Sequence, residues 1–160
     1  MNVRKPFSKA LYKESDDKAK KQMYGWLMAN DHAQIDMSEN YNFDLVSTVD
    51  KGLPRHLYEV EIKRQWKYGE WPDNWKDIRI PYRKKRLLDI WKKDCPEDLL
   101  TFVVFRLDLQ RAWHIDGDTL LDSEVREFKN RLVPNGEMFF HVRPADAYEM
   151  DMTYESNSGY

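Results

Sequence analysis

Two carboxylates and an amine lie close together in residues 41–66, YNFDLVSTVDKGLPRHLYEVEIKRQW. Asp44 stands in the first half of this stretch, and Glu61 and Lys63 stand two positions apart in the second. Carboxylate oxygens suit a hard cation such as Mg²⁺, which completes its octahedron with water. An ammonium group beside them suits a phosphate. Residues of these types, gathered on one face, point to metal-assisted chemistry on a phosphate ester. From the residues alone, the competing reading is a solvated strand face carrying a Glu–Lys ladder, at roughly 0.2–1 kcal/mol per cross-strand pair.

A hairpin is the element that would gather them. Side chains in a strand alternate between two faces. Tyr58, Val60 and Ile62 make an apolar face, and Leu57, Glu59, Glu61, Lys63 and Gln65 make a mostly polar one. In the first arm Phe43 and Leu45 share a face and Asp44 points opposite to them. Residues 51–54 (KGLP) are rich in turn formers and predict a four-residue connection. Closing it pairs Asp50 with Arg55 and sets Asp44 opposite Glu61, so that Asp44, Glu61 and Lys63 converge. A slip of one residue would turn Asp44 to the other side. Glu59 shares the polar face, where it is a further metal ligand, a supporting acceptor or a surface residue.

Asp44 followed by Glu61-Ile62-Lys63 on the next strand resembles the PD-(D/E)XK nucleases, a superfamily of restriction enzymes, some homing endonucleases and phage-type junction resolvases. The likeness spans about residues 14–107. Phe43 stands where the proline of the motif name would be, and Gln65 extends the pattern to ExKxQ. The resemblance implies a restriction-endonuclease-like α/β fold, a central mixed β-sheet flanked by α-helices. It implies Mg²⁺, with Mn²⁺ able to substitute, held by Asp44, Glu61 and the carbonyl of Ile62. Lys63 would orient or activate the attacking water, with Gln65 in support. Members that cut both strands usually dimerise, so it also allows a homodimer.

The chain around the hairpin reads as follows. Residues 1–13 are a basic lead-in docked by Phe7, Leu11 and Tyr12. A helix is expected from Ser15 or Asp16 as N-cap to about Asn30, with Ala19, Met23, Trp26 and Leu27 as its apolar stripe. Asp16, Ala19 and Met23 repeat the spacing of an acid on the first helix of resolvase-like members, which would make Asp16 a supporting catalytic residue. Placement of an acid at the positive end of a helix dipole accounts for it equally well. Residues 32–39 predict the first strand. Trp66, Tyr68, Trp71 and Trp75 crowd one loop, as core packing or, less commonly, as base-stacking surfaces.

Residues 79–93 predict a helix with Pro81 as its first residue and Leu87, Leu88, Ile90 and Trp91 buried. Arg79, Arg83, Lys84, Lys85 and Arg86 cluster at its start. Basic charge there opposes the helix dipole, which suggests a use, and contact with DNA phosphates is the natural one. The alternative is a solvated basic face. Residues 99–107 (LLTFVVFRL) predict a central strand covered on both faces. Asp116-Gly117-Asp118 predicts a turn between two strand-like arms, Asp122 or Ser123 a helix through Leu132, and residues 137–143 a last strand.

The chain has 160 residues, 41% of them hydrophobic, and a net charge of −2. This predicts one domain over residues 1–143 and a mobile acidic tail over 144–160. The tail holds Asp146, Glu149, Asp151 and Glu155 and no Lys or Arg; removing those four acids from −2 leaves +2. The single Cys, with no signal-peptide or membrane-spanning pattern, predicts a reducing, cytoplasmic location and no membrane partner. His32, His56, His114 and His141 are scattered, which argues against zinc. Cys95 has no evident His partner and reads as structural. No Gly-rich phosphate loop or nucleophile elbow is present. The expected function is Mg²⁺-dependent endonucleolytic hydrolysis of DNA. A non-catalytic nucleic-acid-binding or adaptor protein on the same fold is the alternative, and a small interaction protein a third.

Overall fold

The computed structural model describes residues 9–38, 42–49, 54–129 and 135–155, with side chains from Asp17 onward. In chain order these form α1 (Lys9–Ala29), β1 (Ala33–Asp36), β2 (Leu45–Thr48), β3 (Arg55–Lys63) and β4 (Ile78–Pro81). A 3-10 turn (Tyr82–Lys84) leads into α2 (Lys85–Asp94), followed by β5 (Leu99–Arg106), β6 (Arg111–Asp116) and α3 (Gly117–Asp122). β7 (Glu124–Phe128), β8 (Glu137–Val142), a second 3-10 turn (Pro144–Asp146) and β9 (Tyr148–Asp151) complete the order.

A six-stranded sheet runs β1-β2-β3-β5-β6-β9, and a second sheet of three strands runs β4-β8-β7. β3 and β5 are parallel and the other neighbours antiparallel, so the larger sheet is mixed. Alternation on β5 decides the layering. Val103 and Phe105 pack on one face with Ala19, Met23 and Leu27 of α1. Phe102 and Val104 pack on the other with Leu87, Leu88 and Trp91 of α2, Leu120 of α3 and Ile78, Ile80, Phe140 and Val142 of the second sheet. The chain is therefore a mixed α/β protein with its central strand covered on both sides.

α1 begins at least six residues before the expected N-cap, so Asp16 lies within the helix, and its side chain is outside the described residues. The helix stops where Asp31 takes a left-handed conformation (φ 66°) and the His32 N–H donates to the Leu27 carbonyl at 3.0 Å.

The hairpin register differs from expectation by two. Leu45 pairs with Tyr58 and Thr48 with Arg55, which leaves residues 49–54 as the connection. Arg55 is pinned at the strand start, because its backbone N–H and guanidinium both donate to the buried Asp98 carboxylate. Pro54, before it, has no N–H for a ladder. An even shift preserves the faces, but the residue facing Asp44 becomes Glu59 instead of Glu61.

Four further expectations are corrected. Pro81 closes strand β4 opposite Phe139 and does not open the helix; Ile78 and Ile80 alternate into the core, and an edge strand tolerates a terminal proline. Asp116-Gly117-Asp118 starts a helix, with Asp116 at the extended N-cap position and Asp118 in the first turn. A Cβ at Gly117 would run into the Trp91 ring. Residues 124–128 are strand β7, held by pairing with β8, where a helix was expected; its continuation through Leu132 is outside the described residues. The segment after Arg143 is no free tail through Tyr154. β9 pairs with β6, Met152 is fully buried, and the Trp26 Nε1–H donates to the Asp151 carbonyl at 3.2 Å. The alternating Tyr148, Met150 and Met152 supply the strand pattern that its acidic composition masked.

Candidate metal and phosphate site

β2 begins at Leu45, opposite Tyr58, whereas β3 runs on to Lys63. Among the described residues, positions 60–63 of β3 have no partner strand on that side. Asp44 sits in the bend before β2 and folds its side chain onto this open edge. Its Oδ2 accepts the Val60 N–H at 2.9 Å, replacing a missing ladder bond. This turn of the chain brings its carboxyl against Glu59.

Glu59 is only 6% exposed. Burial first, then a hydrogen bond with the Asp44 carboxyl and that group's charge, raise its pKa to about 9. Burial and the Asp44 carboxyl beside it therefore keep Glu59 protonated at neutral pH. Two ammonium groups approach from opposite layers. Lys20 of α1 lies 3.5 Å from Asp44 Oδ1, and Lys84, just before α2, lies 3.7 Å from Glu59 Oε2.

Glu61 and Lys63 follow on the same face of β3, both half-buried. Ile80 of β4 and Lys84, just before α2, cover the Glu59 and Glu61 end of this row. A gap of about 10 Å³ beside Glu59, Glu61, Ile80 and Lys84 is the size of one water molecule. Lys63 lies four residues past Glu59, about 13 Å along the strand. Its ammonium lies 5.6 Å from the centroid of the Trp75 ring. Burial, and then the nearby Arg79 charge, lower its pKa, against the opposing pull of Glu61.

The other expected residues are dispersed. The Ile62 side chain packs toward α1, away from the row. Gln65 is exposed in the turn beyond β3. Of the basic cluster, Arg79 stacks its guanidinium 3.6 Å over Phe128, Lys84 faces Glu59, and Lys85 bonds Asp89 at 2.9 Å. Arg83 and Arg86 face solvent. Trp66, Trp71 and Trp75 pack edge-to-face with one another, at 5.2 and 4.9 Å between centroids, and Tyr68 is 80% exposed. The Cys95 thiol, at the end of α2, has its pKa raised, chiefly by burial, which makes it a poor nucleophile.

Three features lie beyond the sequence reading. Lys20 joins the site because α1 packs across the end of β2, and no spacing signals that. Glu59 moves to the centre through the register shift, which its alternation with Glu61 and Lys63 was compatible with. The His32 and His56 rings meet at 5.1 Å, with His32 Nδ1 2.8 Å from Ser47 Oγ, so these histidines are not scattered. Pairing of Ser47 with His56 brings them together.

No group of three or more His, Cys, Asp or Glu side chains among the described residues is arranged to hold an ion. No helix among them is long and apolar enough to cross a membrane. Comparison with protein-family models, curated proteins and solved structures finds no match.

Proposed function

We propose that the chain is a Mg²⁺-dependent deoxyribonuclease of the PD-(D/E)XK type, with Asp44, Glu59, Glu61 and Lys63 as its working row. The observation that carries the reading is the pair of shielded carboxyls at the point where β2 leaves β3, with Glu61 and Lys63 continuing the same face. The larger sheet is consistent with it: a first helix, three antiparallel strands and, after β4 of the small sheet, a helix and a strand parallel to the third.

Mg²⁺ is commonly held by one or two carboxylates, with water and substrate phosphate completing its shell. Asp44 with Glu59 or Glu61, and the Ile62 carbonyl, would supply the protein ligands. When bound, Mg²⁺ lowers the pKa of a water and neutralises phosphate charge. The chain does the rest. To ligate the ion Glu59 would have to lose its proton, and Lys20 and Lys84, now paired with Asp44 and Glu59, would have to make room. Lys63, held between Glu61 and Trp75, offsets charge developing on the phosphate.

Cleavage of supercoiled, linear and branched DNA in Mg²⁺ or Mn²⁺ is the test. Asp44→Asn, Glu59→Gln and Glu61→Gln should each abolish it with the fold intact. Lys63→Ala should slow it by roughly two to three orders of magnitude. A wild-type chain that cuts none of these DNAs in either ion overturns the reading. One observation favours the non-catalytic alternative, a nucleic-acid-binding or adaptor protein: Lys20 and Lys84 already neutralise the carboxyls from within. On that reading DNA binding persists and divalent ions change nothing.

A further inference from the structure

A second cavity, of about 270 Å³, opens where Lys63 at the end of β3 meets the small sheet. Its walls carry Lys63, Lys76, Arg79 and Arg126 against one carboxylate, Asp77, with Trp71, Trp75 and Phe128 as aromatic surface. Asp77 pairs with Arg126 at 2.9 Å, and its charge also acts on Arg79. Arg79 is held flat against Phe128, and Lys76 is exposed at the rim. Neither Lys63, Lys76 nor Arg79 forms an ion pair among the described residues. His141 also lines the cavity and is 8% exposed. Its Nδ1 lies 3.4 Å from Asp77 Oδ2, yet neither ring nitrogen makes a hydrogen bond among the described residues.

Cations that outnumber their counter-charge, beside a buried imidazole without a hydrogen bond, describe a place built for an acceptor-rich anion. The aromatic walls add a preference for a planar ring, since every base has a π-face that stacks on aromatic side chains. The volume admits one nucleotide and excludes a duplex.

We infer that this cavity binds a single unpaired nucleotide, its phosphate held by Arg79, Lys76 and Lys63 and its base set against Trp75 and Trp71. A strand end or displaced nucleotide of the DNA would be the source, and that part rests on the nuclease reading. The site then favours ends, flaps or junctions over continuous duplex.

Titration calorimetry in EDTA tests this without cleavage, so a failure to cut DNA in Mg²⁺ and a failure to bind here are separate results. The probes are deoxyadenosine monophosphate, deoxyadenosine, inorganic phosphate, and a single-stranded oligonucleotide with or without a 5′-phosphate. The monophosphate should bind one per chain, at least tenfold tighter than the nucleoside or phosphate alone. The 5′-phosphorylated oligonucleotide should compete with it better than the unphosphorylated one. Arg79→Gln and Lys76→Gln should each weaken binding about tenfold, and Arg79→Lys less than Arg79→Gln. Should Arg79→Gln unfold, exposed Lys76→Gln decides alone. No binding at millimolar monophosphate, or affinity indifferent to both substitutions, overturns the site. Phosphate binding as tightly as the nucleotide overturns the base contact. Failure of both oligonucleotides to compete overturns the strand as the source.

Discussion

The chemistry of Glu59 is set by what it touches. Alone in water it would ionise near pH 4.5, but burial and the Asp44 carboxyl raise its pKa to about 9. The folded chain therefore keeps a proton that the unfolded chain releases, and its contribution to stability is complete below about pH 4.5 and lost as pH rises through about 9. Glu59→Gln removes that ionisation. Thermal melts should show the variant gaining on wild type from pH 5 to 9, with a flatter pH profile; parallel profiles would show that Glu59 does not hold the proton. A divalent ion ligated by Glu59 would displace that proton, so Ca²⁺ or Mg²⁺ should raise the wild-type Tm more at pH 8 than at pH 6, and Glu59→Gln should lose that difference. The reverse order of the two pH values would argue against carboxylate ligation.

At the scale of elements, β3 carries Glu59, Glu61 and Lys63, and the start of α2 carries the basic cluster. Because β3 outruns β2, its backbone edge beyond Tyr58 is left for Asp44 to cap, while Glu59 and Glu61 point out of the sheet toward Ile80 and Lys84. The start of α2 keeps only part of its basic cluster available, since Lys84 and Lys85 already pair with Glu59 and Asp89. If Arg83 and Arg86 contact phosphates, their double Ala variant should reduce the log–log salt slope of DNA binding by about 0.9 for each phosphate no longer neutralised. An unchanged slope would remove that edge of α2 from the interface. Where α3 begins, Gly117 admits the Trp91 ring, whose Nε1–H donates to the Asp98 carbonyl at 2.8 Å. Gly117→Ala should therefore destabilise the fold by about 1–3 kcal/mol. Chemical denaturation measures it, and a change below about 0.5 kcal/mol would mean that Trp91 repacks without cost.

For the whole molecule, the last strand closes the sheet. β9 lies beside β6, Met152 is buried with Met23 and Val103, and the Gln22 side chain donates to the Met152 carbonyl at 3.0 Å. Met152→Ala should cost about 2–5 kcal/mol, the usual range for emptying a core position. Truncation after Arg143 should lower the Tm well beyond that substitution. A truncated chain as stable as the full one would show that β9 adds nothing to the fold.

Local pattern alone determined a good deal. The apolar stripe of α1, the central strand β5, the helix α2 and the polar row of β3 are all written in periodicities of 3.6 and 2. Each reports only which side of an element is buried. Asp44 as a partner of that row was also legible, because a two-residue register error leaves the face unchanged. What periodicity cannot carry is which distant surface covers a face. Anchoring of Arg55 by Asp98 chose the register and put Glu59, not Glu61, against Asp44. Pairing with β8 made residues 124–128 a strand, and pairing with β6 drew an acidic segment into the sheet. Packing of α1 and α2 delivered Lys20 and Lys84 to the carboxyls. These are interactions between residues dozens of positions apart, whose energy exists only once the layers have closed.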